Sequence, residues 1–203
     1  MNNEMSREAQ TWEERYRQQT TRWDIGEAAP PFVDYLVEPD ALQTGKILVP
    51  GCGRGNDALF FARQGFEVIG VDFAPPVIQI CQQRATSENL GMVRFEQQDV
   101  FNLGRLYPQT FDHIAEHTCF CAFDQTRRHE YAEVIRQVLR PGGILLTIFF
   151  THRRTGGPPF TTSEPEIREF FEPYFEIQRL EIPKRSHPSR PKGEERFAIM
   201  KLR

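Results

Sequence analysis

From Lys46 onward, short β-branched runs alternate with stretches of helical periodicity. A chain patterned in that way folds as an α/β domain, a parallel sheet with crossover helices. Lys46–Pro50 (KILVP) reads as the first strand and Asp57–Gln64 as the first helix. Phe66–Asp72, Met92–Gln97 and Phe111–Glu116 read as the next three strands, with a helix over Pro75–Ala85 that places Val77, Ile78 and Cys81 on one face. Spacing predicts a longer helix over Asp124–Leu139, with Tyr131, Val134, Ile135, Val138 and Leu139 on its buried stripe. Arg140-Pro141-Gly142-Gly143 is expected to end it. Ile144–Phe150 is apolar almost throughout, as a central strand covered on both faces must be. Ser163 and Glu166 form a capping box for a helix carrying Ile167, Phe170 and Phe171. Two final strands, Phe175–Ile182 and Arg196–Leu202, flank the loop KRSHPSRPKGEE, whose prolines and interleaved Glu194 and Glu195 read as a solvated hairpin loop rather than a basic patch.

A chain of 203 residues fits a single core, and its 17 Phe supply the large side chains to fill one. One domain over 1–203 is expected, with the α/β core at 46–203. The balance of 25 Lys+Arg against 28 Asp+Glu, net −3, provides no overall positive field for phosphate backbones, so nucleic acid is not the expected partner. Met1 to Arg22 holds no apolar run of the length a secretory signal needs, and no later stretch is apolar enough to span a bilayer. A cytoplasmic monomer without membrane contact is the expectation. Cys52, Cys81, Cys119 and Cys121 show neither CxxC nor zinc spacing, so buried free thiols are expected and no metal site.

The first strand runs into Pro50-Gly51-Cys52-Gly53-Arg54-Gly55-Asn56, a turn where glycines let the backbone pass close to a ligand at the carboxyl edge of the sheet. Dinucleotide loops follow GxGxxG so that a helix N-terminus faces a pyrophosphate; here the order is GxGxG, and Asn56 takes the third-glycine position. A shorter zwitterionic ligand fits better, such as the amino-acid end of S-adenosylmethionine against Gly51, Gly53 and Gly55. Asp72 ends the second strand, where a carboxylate reaches the vicinal hydroxyls of a ribose; its competing role is to cap the helix at Pro75. Asp99, with Val100 after the third strand, is placed for an adenine amino group, or else is a turn aspartate.

These segments resemble the thiopurine S-methyltransferase family, including its plant-type branch of halide and thiol methyltransferases. The carriers are Trp12 and Trp23 in TWEERYRQQTTRWDIGEAAPPF, then ILVPGCGRGNDALFFARQGFEVIGVD, FDHIAEHTCFCAF, LRPGGILLTIFF and GGPPF at Gly156–Phe160. The resemblance implies a Rossmann-like class I methyltransferase: a seven-stranded, mostly parallel sheet, its last strand antiparallel, with helices on both faces. Residues 1–45 would fold as a lid over the cofactor S-adenosylmethionine. Met1–Arg22, with few apolar anchors besides Trp12 and Tyr16, is expected to order when the cofactor binds. By motif position Trp23 would pack on the methionine arm and Trp12 would line the acceptor pocket, with Phe32 and Phe160 in walls rich in proline; each of these aromatics could equally be core. Glu116 stands where the family usually has aspartate, and would orient backbone or a ligand amine. His117 departs from the family, whose thiopurine branch has arginine there and whose halide and thiol branch often has tyrosine.

Methyl transfer from a sulfonium is an in-line displacement, so alignment and water exclusion carry most of the catalysis. The expected acceptor is a small soft nucleophile: thiol, hydrosulfide, halide, thiocyanate or a related chalcogen. A neutral thiol gains from a nearby base, and His117, at the carboxyl end of a central strand, is the candidate. The alternatives are an O- or N-methyltransferase of the same fold, or a non-catalytic protein that only binds S-adenosylmethionine.

Overall fold

The computed structural model describes residues 7–203, and side chains from Thr11 onward. Met1 to Ser6 of the expected lid lie outside the described residues. Seven strands form one sheet: β1 (Lys46–Pro50), β2 (Glu67–Asp72), β3 (Val93–Gln97), β4 (Phe111–His117), β5 (Leu139–Phe150), β6 (Phe175–Glu181) and β7 (Glu195–Leu202). Their order is β3-β2-β1-β4-β5-β7-β6. The first five are parallel, and β7 inserts antiparallel between β5 and β6. This is the expected seven-stranded α/β architecture.

Burial on both faces follows directly from the residues. Ile47 and Val49 of β1 enter one apolar cluster and Leu48 the other, as alternation along a strand requires. On the first face lie α2 (Pro30–Tyr35), α3 (Asn56–Arg63) and α4 (Pro75–Ser87), which contribute Phe32, Phe61 and Cys81 among others. On the second lie α5 (Leu103–Leu106), α6 (Arg128–Val138) and α7 (Glu164–Phe171), contributing Leu103, Tyr131 and Phe171. Burial of each Phe or Leu stabilises the fold by about 1.5–3 kcal/mol, which favours filling both faces with large side chains.

Several expectations change. α1 (Arg7–Arg17) and α2 carry no strong sequence signal, and the proline-rich wall around Phe32 is the helix α2 because Pro30 and Pro31 suit the first turn of a helix. The Asp124 helix is shorter: a 3₁₀ turn at Gln125–Arg127 precedes α6, with the Asp124 side chain accepting from the Thr126 amide. Leu139 is the first residue of β5, paired with Phe111, and pairing then resumes between His113 and Ile144. The residues between form a bulge rather than the clean stop expected, made possible by Gly142 at φ +74. Ser163 does cap α7, accepting from the Glu166 amide.

The strand order turns outward in both directions from β1 and β4, so the crevice at their carboxyl ends is the topological switch point where ligands bind in open α/β sheets. Two segments converge there: the glycine turn after β1 and the end of β4 at His117.

Candidate active site

A large cavity of about 850 Å³ opens over that crevice. Its floor at one end is the turn after β1. Gly51, Gly53 and Gly55 have φ of +59, +51 and +78, the left-handed region that side chains strain to adopt. The turn is tied to β2 because the Gly53 amide donates to Asp72 Oδ2 at 3.0 Å, while Asp72 Oδ1 accepts the Ala74 amide at 3.0 Å. Asp72 therefore does serve the start of α4, but a carboxylate accepts about four hydrogen bonds and capacity remains for a ligand. Burial raises the Asp72 pKa, its backbone donors only partly offsetting the cost. Asp99 caps the next turn by accepting the Phe101 amide at 3.0 Å, which presents Val100 and Phe101 to the same wall.

α1 and the segment after it form the roof. Trp12 and Trp23 meet edge to face with ring centroids 4.9 Å apart, and both line the cavity. Trp23 Nε1–H donates to the Tyr16 hydroxyl at 3.4 Å, and a Cβ on Gly53 would lie 3.3 Å from that hydroxyl. Burial, followed by the nearby Asp72 carboxylate, raises the Tyr16 pKa and keeps it a neutral phenol. Asp24 latches the roof to the turn, accepting Asn56 Nδ2 at 2.9 Å on one oxygen and pairing with Arg54 Nε at 3.2 Å on the other. Asn56 thus holds the roof where a third glycine would have faced a phosphate.

The other end of the cavity is built from β4 and the β6–β7 loop. His117 Nδ1 lies 2.9 Å from Asp57 Oδ2, and Asp57 Oδ1 accepts the Ala29 amide at 2.7 Å. Thr118, at φ +59, turns the chain sharply after the strand, a costly conformation for a β-branched residue at a site edge. Arg190 Nη2 donates to the Trp23 carbonyl at 2.8 Å and lies 3.5 Å from His117 Nε2. Its Nε pairs with buried Glu195 at 3.4 Å. Phe150, Pro158, Pro159 and Arg154 complete this end.

Of the residues expected from sequence, Trp12, Trp23, Gly51, Gly53, Asp72, Asp99, Val100 and His117 line the cavity together. Four do not. Gly55 caps the start of α3 and faces inward, where a Cβ would meet Cys81 and Phe95 at 2.9 and 3.1 Å, so it serves packing. Glu116 is buried beneath the floor, accepting the Cys119 and Phe120 amides and the Thr147 hydroxyl, so it shapes the backbone after β4 and is shielded from a ligand. Phe32 is fully buried and edges against the His117 ring at a centroid distance of 6.3 Å, supporting the imidazole from the core rather than facing an acceptor. Phe160 is turned onto Gly157, leaving Pro158 and Pro159 as the wall. Sequence reading missed Tyr16, Asp57 and Arg190. The loop read as solvated contributes Ser189, Arg190 and Pro191, and the departure of His117 from the family pattern was the one available hint that a partner stood opposite it.

The family profile of thiopurine S-methyltransferase matches residues 7–199. The chain belongs to the thiopurine S-methyltransferase family. It is 33% identical to a probable thiol methyltransferase 2 of Arabidopsis thaliana, over 80% of this chain and 71% of that protein. It is 30% identical to thiocyanate methyltransferase 1 of the same plant, over 94% and 83%. Its fold matches a Burkholderia thailandensis 1,6-didemethyltoxoflavin-N1-methyltransferase solved with S-adenosylhomocysteine, with TM-score 0.73, 19% identity and coverage of 100% and 93%. As a member of the family this chain is an S-adenosylmethionine-dependent methyltransferase. The residues fit that cofactor: the positive-φ turn leaves room for a close approach, and the buried Asp72 carboxylate at the cavity wall has acceptor capacity beyond its bonds to the Gly53 and Ala74 amides. Among the described residues, no helix is long and apolar enough to cross a membrane.

Proposed function

We propose that this member of the family methylates a small soft nucleophile, with sulfur as the attacking atom. The observation that carries the reading is the division of one cavity into two chemically distinct ends. Asp72, Asp99 and the glycine turn form a polar cradle, while His117, Arg190, Phe150 and the Pro158-Pro159 wall form an imidazole- and cation-bearing pocket beyond it. In this reading Gly51 and Gly53 receive the amino-acid end of S-adenosylmethionine, Asp72 its ribose hydroxyls, and Asp99 with Val100 its adenine. When bound, it supplies a methyl on a sulfonium, whose carbon–sulfur bond breaks as the acceptor's lone pair forms the new one.

The protein's own contribution is alignment, dryness and charge. Trp12, Trp23 and Tyr16 cover the cradle and exclude water, and aromatic faces suit a sulfonium cation. Holding two reactants in line supplies about 7–11 kcal/mol of barrier reduction without any covalent role for the enzyme. Arg190 provides the positive partner an anionic sulfur needs. The relatives named for thiol and thiocyanate methylation support this choice of acceptor.

Incubation with labelled S-adenosylmethionine and a panel of alkyl and aromatic thiols, hydrosulfide, thiocyanate, iodide and chalcogen oxyanions, beside catechol and amine controls, tests it by product mass spectrometry. Methylated sulfur products are expected. Methylation confined to the oxygen or nitrogen controls would leave the cofactor site standing and overturn the choice of acceptor.

A further inference from the structure

Asp57 is the first acidic residue of α3, yet its two oxygens are committed away from solvent. Oδ1 holds the Ala29 amide at the start of α2, and Oδ2 faces His117 Nδ1 at 2.9 Å. In the neutral imidazole, a hydrogen bond donated to the acceptor oxygen Asp57 Oδ2 places the proton on Nδ1 and leaves Nε2 with its lone pair. Nε2 lies 3.5 Å from Nη2 of Arg190, which lines the cavity with His117, too far for a strong hydrogen bond. The ring is held in place by Asp57 below and by the edge of Phe32 beside it. The charged groups facing it are Asp57, Arg190 and, from its own strand, Glu116.

We infer that Asp57 is a positioning residue that presents His117 Nε2 as a base, and that the acceptor reaches this enzyme as a neutral acid, a protonated thiol, rather than as a preformed anion. This inference rests on the S-methylation reading above. A halide or thiocyanate has no proton to give up and has no use for an imidazole fixed in one tautomer. For a thiol the roles are complementary: the S–H bond breaks, the proton passes to Nε2, and the electron pair left on sulfur forms the bond to the methyl carbon. Arg190 stands where the developing thiolate charge appears. The imidazolium, stabilised by Asp57, returns its proton to water after product leaves. The pairing also explains why α2 is anchored to α3 at this point, since the Ala29 amide holds the Asp57 carboxylate in the orientation His117 requires.

The test compares two thiols on wild type and Asp57→Asn: an alkyl thiol, almost wholly protonated at pH 7, and an electron-poor aromatic thiol already ionised there. Asn keeps an oxygen for the Ala29 amide but turns an N–H toward Nδ1, forcing the proton onto Nε2. General bases contribute about 10²–10⁴-fold, so kcat/KM for the alkyl thiol should fall by about 10²-fold or more relative to that for the ionised thiol, and the gap should close as pH passes the alkyl thiol's own pKa. Equal losses with both thiols, or no loss with either, overturn the inference. A second measurement needs no variant: in wild-type protein labelled with ¹⁵N-histidine, His117 should be the Nδ1–H tautomer, and an Nε2–H tautomer overturns it. A wild type that methylates neither thiol fails at the earlier reading instead.

Discussion

The Gly53 amide and the Asp72 carboxylate, 19 residues apart in the chain, are joined by a 3.0 Å hydrogen bond that ties the glycine turn after β1 to the end of β2. One carboxylate thereby shapes the turn and presents its remaining acceptor capacity to the cavity. Hydrogen bonds to a charged group contribute about 1.5–3 kcal/mol each. Asp72→Asn should therefore weaken S-adenosylhomocysteine binding by roughly 10–100-fold, measured by calorimetry. Binding within twofold of wild type would remove Asp72 from the cofactor site.

The same residue predicts a pH dependence. Burial raises the Asp72 pKa above the ordinary 3.8, so in the folded apo protein Asp72 takes up a proton at a higher pH than an exposed aspartate does. For folding, the favourable contribution is present below the unfolded value and is lost as pH rises through the raised one. For binding the sign is opposite, because hydroxyl donors need the ionised carboxylate. Cofactor affinity should decline as pH falls through the raised value, beginning above the range of an exposed aspartate. A titration in which affinity is flat down to pH 4 in folded protein counts against this.

Gly51 is the tightest point of the turn. A Cβ there would lie 2.8 Å from Cys119 Sγ, on a backbone at φ +59. Gly51→Ala should cost roughly 1–2 kcal/mol in backbone strain and about 1–3 kcal/mol in overpacking. Denaturant unfolding of Gly51→Ala combined with Cys119→Ala should recover the second part and leave the first.

Arg190 should act mainly on acceptor binding. Loss of a charged donor opposite an anionic sulfur corresponds to about 1.5–3 kcal/mol, so Arg190→Ala should raise KM for ionised thiols by roughly 10–100-fold, with Arg190→Lys intermediate. A purely kcat effect in steady-state kinetics would assign Arg190 another role.

The roof depends on Asp24. Asn56→Gly removes the side-chain amide donated to Asp24 Oδ1, so that the Arg54 pair at 3.2 Å is what still links Asp24 to the glycine turn. Trypsin should then cut after Arg15, Arg17 or Arg22 several-fold faster than in wild type, and S-adenosylhomocysteine should slow the cut by holding Trp12 and Trp23 down. Equal cutting with and without that ligand in the wild type would show that the segment is not ordered by binding.

What was legible in the sequence was local. Alternating runs with glycine punctuation are enough to place β1, β2 and the turn between β1 and α3, because strand period and left-handed glycine positions are properties of a few adjacent residues. Gly51, Gly53, Asp72 and Asp99 follow at once, each at a strand's carboxyl end. Phe32, Phe160 and Glu116 lie off the cavity because neighbouring positions in a motif face opposite ways: Pro158 and Pro159 reach the cavity while Phe160 turns onto Gly157.

Long-range pairing was decided only by the tertiary structure. The KRSHPSRPKGEE loop reads as solvent-exposed from composition, and in isolation it would be; packing of β7 between β5 and β6 carries Arg190 back over the cavity to Trp23 and His117, 167 and 73 residues away. Asp57 reads as an ordinary first-turn aspartate, yet the parallel pairing of β1 with β4 brings it against a histidine 60 residues later. A side chain's type and its place on an element are written in its neighbours along the chain, so sequence alone determined the fold class and the placing of Gly51, Gly53, Asp72 and Asp99 at one edge of the sheet. Which side chains face one another across the crevice depends on strand order and register, and that is what brought Asp57, His117 and Arg190 together.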